Sequence, residues 1–269
     1  MLQAASPSLT IARPPAAGPR TDAANRIPAT GMAVTWARHL DQVREAQRLR
    51  YEVFAGEMGA RLPTRIPGHD IDLFDDYCEH LLVRTEDTGQ VVGTYRVLTP
   101  AQARRVGSFY SDTEFDLWRL RSLRERMVEL GRSCVHPDHR QGGVILALWG
   151  ALFEFMRRNE LDTMIGCASI PMLHNGVVSG QLAAGIWHDL SRSHLAPIEY
   201  RVMPRLPLPV DRFDAVDAEA PPLVKGYLRL GAKVLGPPAW DPDFNTADLP
   251  MMMRLPDLPS RYRKHFLGA

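Results

Sequence analysis

Met127-Val128-Glu129-Leu130-Gly131-Arg132-Ser133-Cys134-Val135, continued by His136-Pro137-Asp138-His139-Arg140-Gln141-Gly142-Gly143, is the stretch whose reading decides the fold. Its first part reads as a buried strand, and Pro137 with the Gly142-Gly143 pair cannot continue one, so the chain must turn. Beyond the turn Ile145, Leu148, Trp149, Leu152 and Phe155 mark one face of a helix. Strand, glycine-rich turn and helix together suit an anion. N–H groups at a helix N-terminus point outward, the macrodipole favours negative charge, and glycines let a ligand approach the backbone. Arg140, Gly142 and Gly143 therefore predict a phosphate cradle, of the kind that coenzyme A or a phosphopantetheine arm would occupy. Glu129, Arg132, Ser133 and Cys134 lie on the strand leading into it, where a splayed strand would hold a thioester.

Upstream, residues 80–85 and 91–98 are rich in β-formers and flank Glu86-Asp87-Thr88-Gly89-Gln90, which predicts an antiparallel hairpin. Residues 41–54 carry Val43, Ala46, Leu49, Val53 and Phe54 at helical spacing, and residues 59–76 read as a loop with an acidic end. Leu117, Leu120 and Leu123 predict a helix over 109–126. Downstream, 163–170 reads as a strand, 177–190 and 223–230 as helices, 205–222 as a Pro- and Asp-rich excursion, and 249–255 as a last strand. The Ala- and Pro-rich residues 1–33 read as a disordered leader, leaving 34–269 as one domain. The fold class expected is α/β (α+β), a mixed and splayed sheet flanked by helices.

A net charge of +1 argues against whole-protein attraction to nucleic acid. Three cysteines without a CxxC pair support neither a disulfide framework nor a zinc site, and they fit a cytoplasmic chain. His80, His136, His139 and His174 lack metal-ligand spacing, so no metal is expected. No apolar run approaches the roughly 20 residues that cross a bilayer.

Arg50-Tyr51-Glu52-Val53-Phe54, Asp72-Leu73-Phe74-Asp75, Cys78-Glu79-His80, Gly93-Thr94-Tyr95-Arg96 and Glu129 to Val135, in that order, resemble the ornithine–acyl carrier protein N-acyltransferases of ornithine-lipid synthesis. Lys225-Gly226-Tyr227, Pro238-Ala239-Trp240-Asp241-Pro242-Asp243-Phe244 and Ala247-Asp248 resemble that family's C-terminal pattern, so the likeness spans roughly Trp36 to Tyr262. More loosely, the sequence resembles the acyl-homoserine-lactone synthases. Both families imply the GNAT-like acyl-CoA N-acyltransferase fold and a donor carried by acyl carrier protein. Arg140 and Gly143 meet the general GNAT phosphate pattern, while Ile145 departs from it at the final position, which weighs against acetyl-CoA as donor.

The resemblance implies transfer of a 3-hydroxyacyl chain to the α-amine of L-ornithine by direct aminolysis, with acyl carrier protein as partner, no further cofactor, and a lyso-ornithine lipid product that enters the membrane. Such an enzyme is expected in the cytoplasm, with a peripheral seat on the inner membrane face as the variant. Glu129 and Arg132 are the catalytic candidates, Glu129 as base. The N–H groups near Cys134 and Val135 are the candidate oxyanion donors, next to Arg140, Gly142 and Gly143. Arg50, Asp72, Asp75 and Arg96 are the acceptor-binding candidates, because ornithine brings a carboxylate and a distal ammonium. Arg50 serves equally as a brace for the acidic loop, and Asp72 and Asp75 as turn caps. Arg104, Arg105, Arg119, Arg121, Arg124 and Arg126 form either a solvated helix face or a dock for acyl carrier protein. Two rival functions stay open: an acyl-homoserine-lactone synthase, and a non-catalytic module that binds acyl carrier protein or lipid.

Overall fold

The structure, a computed structural model, describes residues 31–140, 143–174 and 176–268. Gly142 of the expected cradle and residues 1–30 of the expected leader lie outside them. Strand β1 (Met32–Trp36) takes in Met32 and Ala33, because their pairing with Thr85 and Arg84 carries the ladder that far. Helix α1 (Leu40–Tyr51) follows and widens into a π-helical turn over Glu52–Glu57. Then come β2 (Glu79–Thr85), β3 (Val91–Leu98) and α2 (Pro100–Val106). The one-turn α3 (Ser111–Glu114) and the short β4 (Phe115–Asp116) lead to β5 (Met127–Val135), α4 (Val144–Arg158) and β6 (Thr163–Pro171). The remainder comprises β7 (Leu173–His174), β8 (Val177–Val178), α5 (Gln181–Ser193), β9 (Met203–Pro204) and α6 (Pro222–Arg229). It closes with β10 (Lys233–Val234), β11 (Ala239–Asp241), β12 (Thr246–Arg254) and α7 (Ser260–Leu267).

The main sheet runs β1-β2-β3-β5-β6-β12-β10, with β11 on β12. Every pairing is antiparallel except β5 with β6. The alternation of side chains sorts the core onto two faces. Leu81 and Val83 pack with Leu148 and Leu152 of α4, whereas Leu82 packs with Ala46 and Leu49 of α1. Gly93 permits the α4 side of this sandwich, since a Cβ there would stand 2.4 Å from Val144 Cγ1.

The parallel pair is short. Met127, Val128 and Glu129 partner Thr163, Met164 and Ile165, and beyond Glu129 the two strands part. β12 continues along β6 up to Pro171, so β6 is held on its far side while its near edge opens.

Three readings are corrected. Residues 109–126 form no single helix: Leu120 N–H bonds to Leu117 and Leu123 N–H to Leu120, so the three-residue leucine spacing records 3₁₀ turns. Asp112 and Asp116 interrupt that segment by accepting from the Phe109 and Trp118 N–H groups. α5 starts only at Gln181, with Val177 and Val178 exposed in a small hairpin before it. The strand expected at 249–255 begins at Thr246, and α7 follows it. The sequence reading also passed over α2, whose Thr99–Gln102 capping box, Pro100 at the first turn and Gly107 at the C-cap spell a helix in full.

Candidate active site

Where β5 and β6 part, a cleft of about 210 Å³ opens, lined by Glu129 to Ser133 on one side and Cys167 to Ser169 on the other. Tyr95, Arg96, Tyr110, Tyr227, Asp241 and Asp248 complete its walls. On β5 the register against β3 jumps, with Arg96 opposite Gly131 but Thr94 opposite Cys134. This bulge puts Arg132 at φ 47° and leaves Arg132 and Ser133 without partners on β3. His136 N–H bonds to the Val92 carbonyl, so ladder alternation turns the Val135 N–H toward the open edge, while Cys134 is spent on the Thr94 pairing.

Beside the cleft lies a closed network of three arginines and three aspartates, drawn from α1, the 70–75 loop, β3 and β5. Arg50 is fully buried; its Nε donates to Asp70 Oδ2 at 2.7 Å and its Nη2 to Asp75 Oδ2 at 2.8 Å. Arg96 Nη1 donates to Asp72 Oδ1 at 2.6 Å and to Asp75 Oδ1 at 3.1 Å. Arg132 reaches Asp70 and Asp72, each at 3.2 Å, with its guanidinium 4.5 Å from the Phe244 ring centre. Burial alone would raise the Asp75 carboxyl, but Arg50 and Arg96 hold it well below the usual carboxylate range. Asp72 and Asp75 have two readings, acceptor-binding acids or turn caps, and Asp72 Oδ1 does accept from the Phe74 N–H at 2.8 Å. Their charges are already matched here, so of the two readings given for Arg50, the brace is the one its bonds show.

Glu129 is the candidate base. Its Oε2 accepts from Tyr110 N–H at 2.6 Å, and its Oε1 accepts from Ser111 N–H at 2.7 Å and from the Ser111 hydroxyl. Burial pushes its pKa up while these three donors oppose the rise. The carboxylate thus ties the 109–111 turn to β5 and sets Tyr110 at the cleft.

Of the other expected residues, Arg96 and Arg132 line the cleft. The Cys134 side chain is buried against α1 with Leu49 and Val53, and burial pushes its thiol up to about 12, so it is no nucleophile at neutral pH. Val135 contributes backbone, and its carbonyl accepts from Arg140 Nε at 3.2 Å. Arg140 is half-exposed and clamps Glu57 at 2.8 and 2.9 Å, next to Gly143, which begins α4 with no side-chain cap. The basic stretch is dispersed: Arg104 pairs with Glu125, Arg124 with Asp112 and Arg126 with Asp162.

A second acidic group was not foreseen. Glu114 of α3, Asp248 of β12 and Cys167 of β6 bring their polar atoms within 4.8 Å of one another. Both Glu114 oxygens are buried without a hydrogen bond of good geometry, the Tyr110 hydroxyl being the donor beside them, while Asp248 Oδ1 accepts from the Thr246 hydroxyl at 2.9 Å. Burial and then the nearby Asp248 raise Glu114 to about 8, and burial and then Asp241 raise Asp248 to about 6. Asp241 and Asp248 stand in the quoted C-terminal pattern, but only the β12–β6 register, with Asp248 opposite Ser169, carries Asp248 to the cleft.

A mixed sheet split between two parallel strands, with a bulge on one and an uncapped helix N-terminus beyond it, defines a GNAT-type acyltransferase. Residues 49–150 match the acetyltransferase (GNAT) domain family. Over 243 residues the chain is 37% identical to the L-ornithine N(alpha)-acyltransferase of Rhodobacter capsulatus, covering 86% of this chain and 92% of that one. It is 36% identical to the enzyme of the same name from Brucella abortus, covering 83% and 84%. The chain belongs to the L-ornithine N(alpha)-acyltransferase family. Among solved structures, the acyl-homoserine lactone synthase BjaI shares the fold at a TM-score of 0.52 and 15% identity, over 88% of this chain and 89% of that one. Among the described residues no helix is long and apolar enough to cross a membrane.

Proposed function

We propose that this acyltransferase moves a 3-hydroxyacyl chain from acyl carrier protein to the α-amine of L-ornithine, giving lyso-ornithine lipid. The observation that carries the reading is the pair of acids without a cation against them, Asp248 in the cleft wall and Glu114 in the adjoining space that shares Tyr110, Arg132 and Asp241 with it, beside a network whose acids are all neutralised. A cationic acceptor restores the charge balance there: an ammonium beside these carboxylates favours their charged forms and lowers both pKa values. Arg132, which lines both spaces, makes the longest ion pairs of the network and has a buried Nε without a hydrogen bond, is the cation that faces the acceptor carboxylate.

The donor's phosphopantetheine arm lies along the open edge of β5, with its phosphate toward Arg140, Gly143 and the start of α4. The neutral α-amine attacks the thioester carbon, a C–N bond forms, the C–S bond breaks, and the proton lost by the nitrogen passes to the departing sulfur, releasing the carrier thiol. Backbone N–H groups at the bulge and at Val135 stabilise the oxyanion. Glu129 is a positioning residue in this scheme, holding Tyr110 and the strand edge in place. The amphiphilic product leads the enzyme to work at the inner membrane face.

The test incubates the purified chain with 3-hydroxyacyl carrier protein and a panel of amino acids, following thiol release and identifying products by mass spectrometry. Ornithine-dependent release of N-acyl-ornithine is the expected result. Release with another amine overturns the acceptor assignment, and no release with any amine overturns the enzymatic reading.

A further inference from the structure

Behind the polar cleft a narrow apolar cavity of about 60 Å³ runs on between α4, β6 and β12, lined by Leu152, Phe153, Met164, Met251 and Met253. The two spaces share Leu130, Cys167, Ala168 and Tyr227, so they meet at one neck. An aliphatic chain needs only apolar walls, yet this neck is polar. The hydroxyls of Tyr95, from β3, and Tyr227, from α6, are hydrogen-bonded to each other, and Tyr95 is buried to 1%. The Ser133 hydroxyl and the Trp149 indole lie beside the Tyr95 hydroxyl. Trp149 Nε1 is itself buried and makes no hydrogen bond of good geometry, the Tyr95 hydroxyl being the oxygen beside it. Gly226 leaves room for the indole, since a Cβ there would come within 2.6 Å of its Cη2.

A buried donor left unpaired in an apolar wall is costly, and it is relieved by a ligand oxygen brought to it. We infer that Tyr227 and Trp149, backed by Tyr95, form the subsite that selects an acyl chain bearing a hydroxyl near its thioester end. The inference rests on the acyl-donor reading above and adds to it the residues that choose among donors. The hydroxyl accepts from Trp149 Nε1 and exchanges a hydrogen bond with the Tyr227 hydroxyl, while the carbons beyond it enter the methionine-lined cavity. A site built to bond a substrate hydroxyl rejects the analogue lacking it, because its polar groups are then left unpaired.

The experiment compares kcat/KM for a 3-hydroxyacyl carrier protein and for the unsubstituted chain of equal length, in the natural protein and in Tyr227→Phe and Trp149→Phe. The natural protein is expected to prefer the hydroxylated donor. Each variant is expected to lower that ratio about tenfold, whatever it does to the absolute rate with either donor. Tyr227→Phe removes one oxygen and keeps the ring, so it remains informative if Trp149→Phe folds poorly. A ratio unchanged in both variants, or an equal fall with both donors, overturns the subsite. The same preference is read without turnover, as the difference in thermal stabilisation by the two acyl-pantetheines. Loss of ornithine acylation with that difference intact overturns the proposed function alone, and absence of the difference overturns the subsite alone.

Discussion

Replacing Asp75 by Asn removes one charge from the middle of the buried network. The Asp75 carboxylate takes Arg50 at 2.8 and 3.0 Å, Arg96 at 3.1 Å and Gln47 at 3.1 Å. The amide keeps one acceptor oxygen and turns an NH₂ toward guanidinium donors, so Arg50, with no exposed surface, is left partly uncompensated. Breaking a buried pair on one side costs about 3–5 kcal/mol. With a urea slope of about 3 kcal/mol per molar, the unfolding midpoint at pH 7 falls by about 1–2 M. The exposed pair Arg104–Glu125 is the control, with Glu125→Gln moving the midpoint by less than about 0.5 M. The network holds the Asp75 pKa below its unfolded value of about 3.9. Its stabilisation is therefore fully present above that pH and fades as pH falls through the folded value, so the variant's deficit at pH 7 narrows on strong acidification. A midpoint for Asp75→Asn no lower than that of Glu125→Gln would refute the reasoning.

In the ligand-free protein the raised pKa values of Glu114, about 8, and Asp248, about 6, mean that the folded state binds more protons than the unfolded one across the interval up to about pH 8. Tm is thus expected to fall as pH rises through that window, Glu114→Gln to flatten the fall, and the same variant to raise KM for ornithine about tenfold or more; an unchanged KM would remove Glu114 from acceptor binding. Gly166→Ala would place a Cβ 2.4 Å from the Leu130 carbonyl oxygen at the point where the strands part. It should cost about 1–3 kcal/mol by overpacking, visible as a Tm drop of several degrees, and lower turnover as well. Arg140→Ala should change stability by less than about 1 kcal/mol, since its pair with Glu57 is half-exposed, yet raise KM for acyl carrier protein several-fold; an unaltered KM would count against the phosphate cradle.

β2, β3, β5, α4 and β6 were legible because their apolar residues repeat at the period of the element itself. The same logic failed at Leu117, Leu120 and Leu123, where a spacing of three fits both an α-helix and successive 3₁₀ turns, and where Glu129 and Asp112 draw off the backbone donors a helix would use. The acids of the 70–76 loop were visible as a cluster. Their neutralisation was not, because Arg50, Arg96 and Arg132 approach from three separate elements and only the tertiary fold makes them neighbours. Glu114 and Asp248 were hidden for a related reason: strand register brings Asp248 beside β6, and short-range patterns carry no information on register across strands. The strand-turn-helix motif was readable because the positions it needs are consecutive.

The parting of β5 and β6 also bears on how the protein behaves in a crowded cell. Most sheets confine their unsatisfied edges to the outside, where charge or short length guards them against pairing with other chains. Here two unsatisfied edges lie in the middle of the sheet, within a cleft whose walls include Phe54, Tyr110, Pro221 and Tyr227. Because they face each other inside a walled cleft and not at the rim, these edges are not presented to a neighbouring chain as an outer strand would be, and the exposed backbone that invites self-association elsewhere is sheltered here.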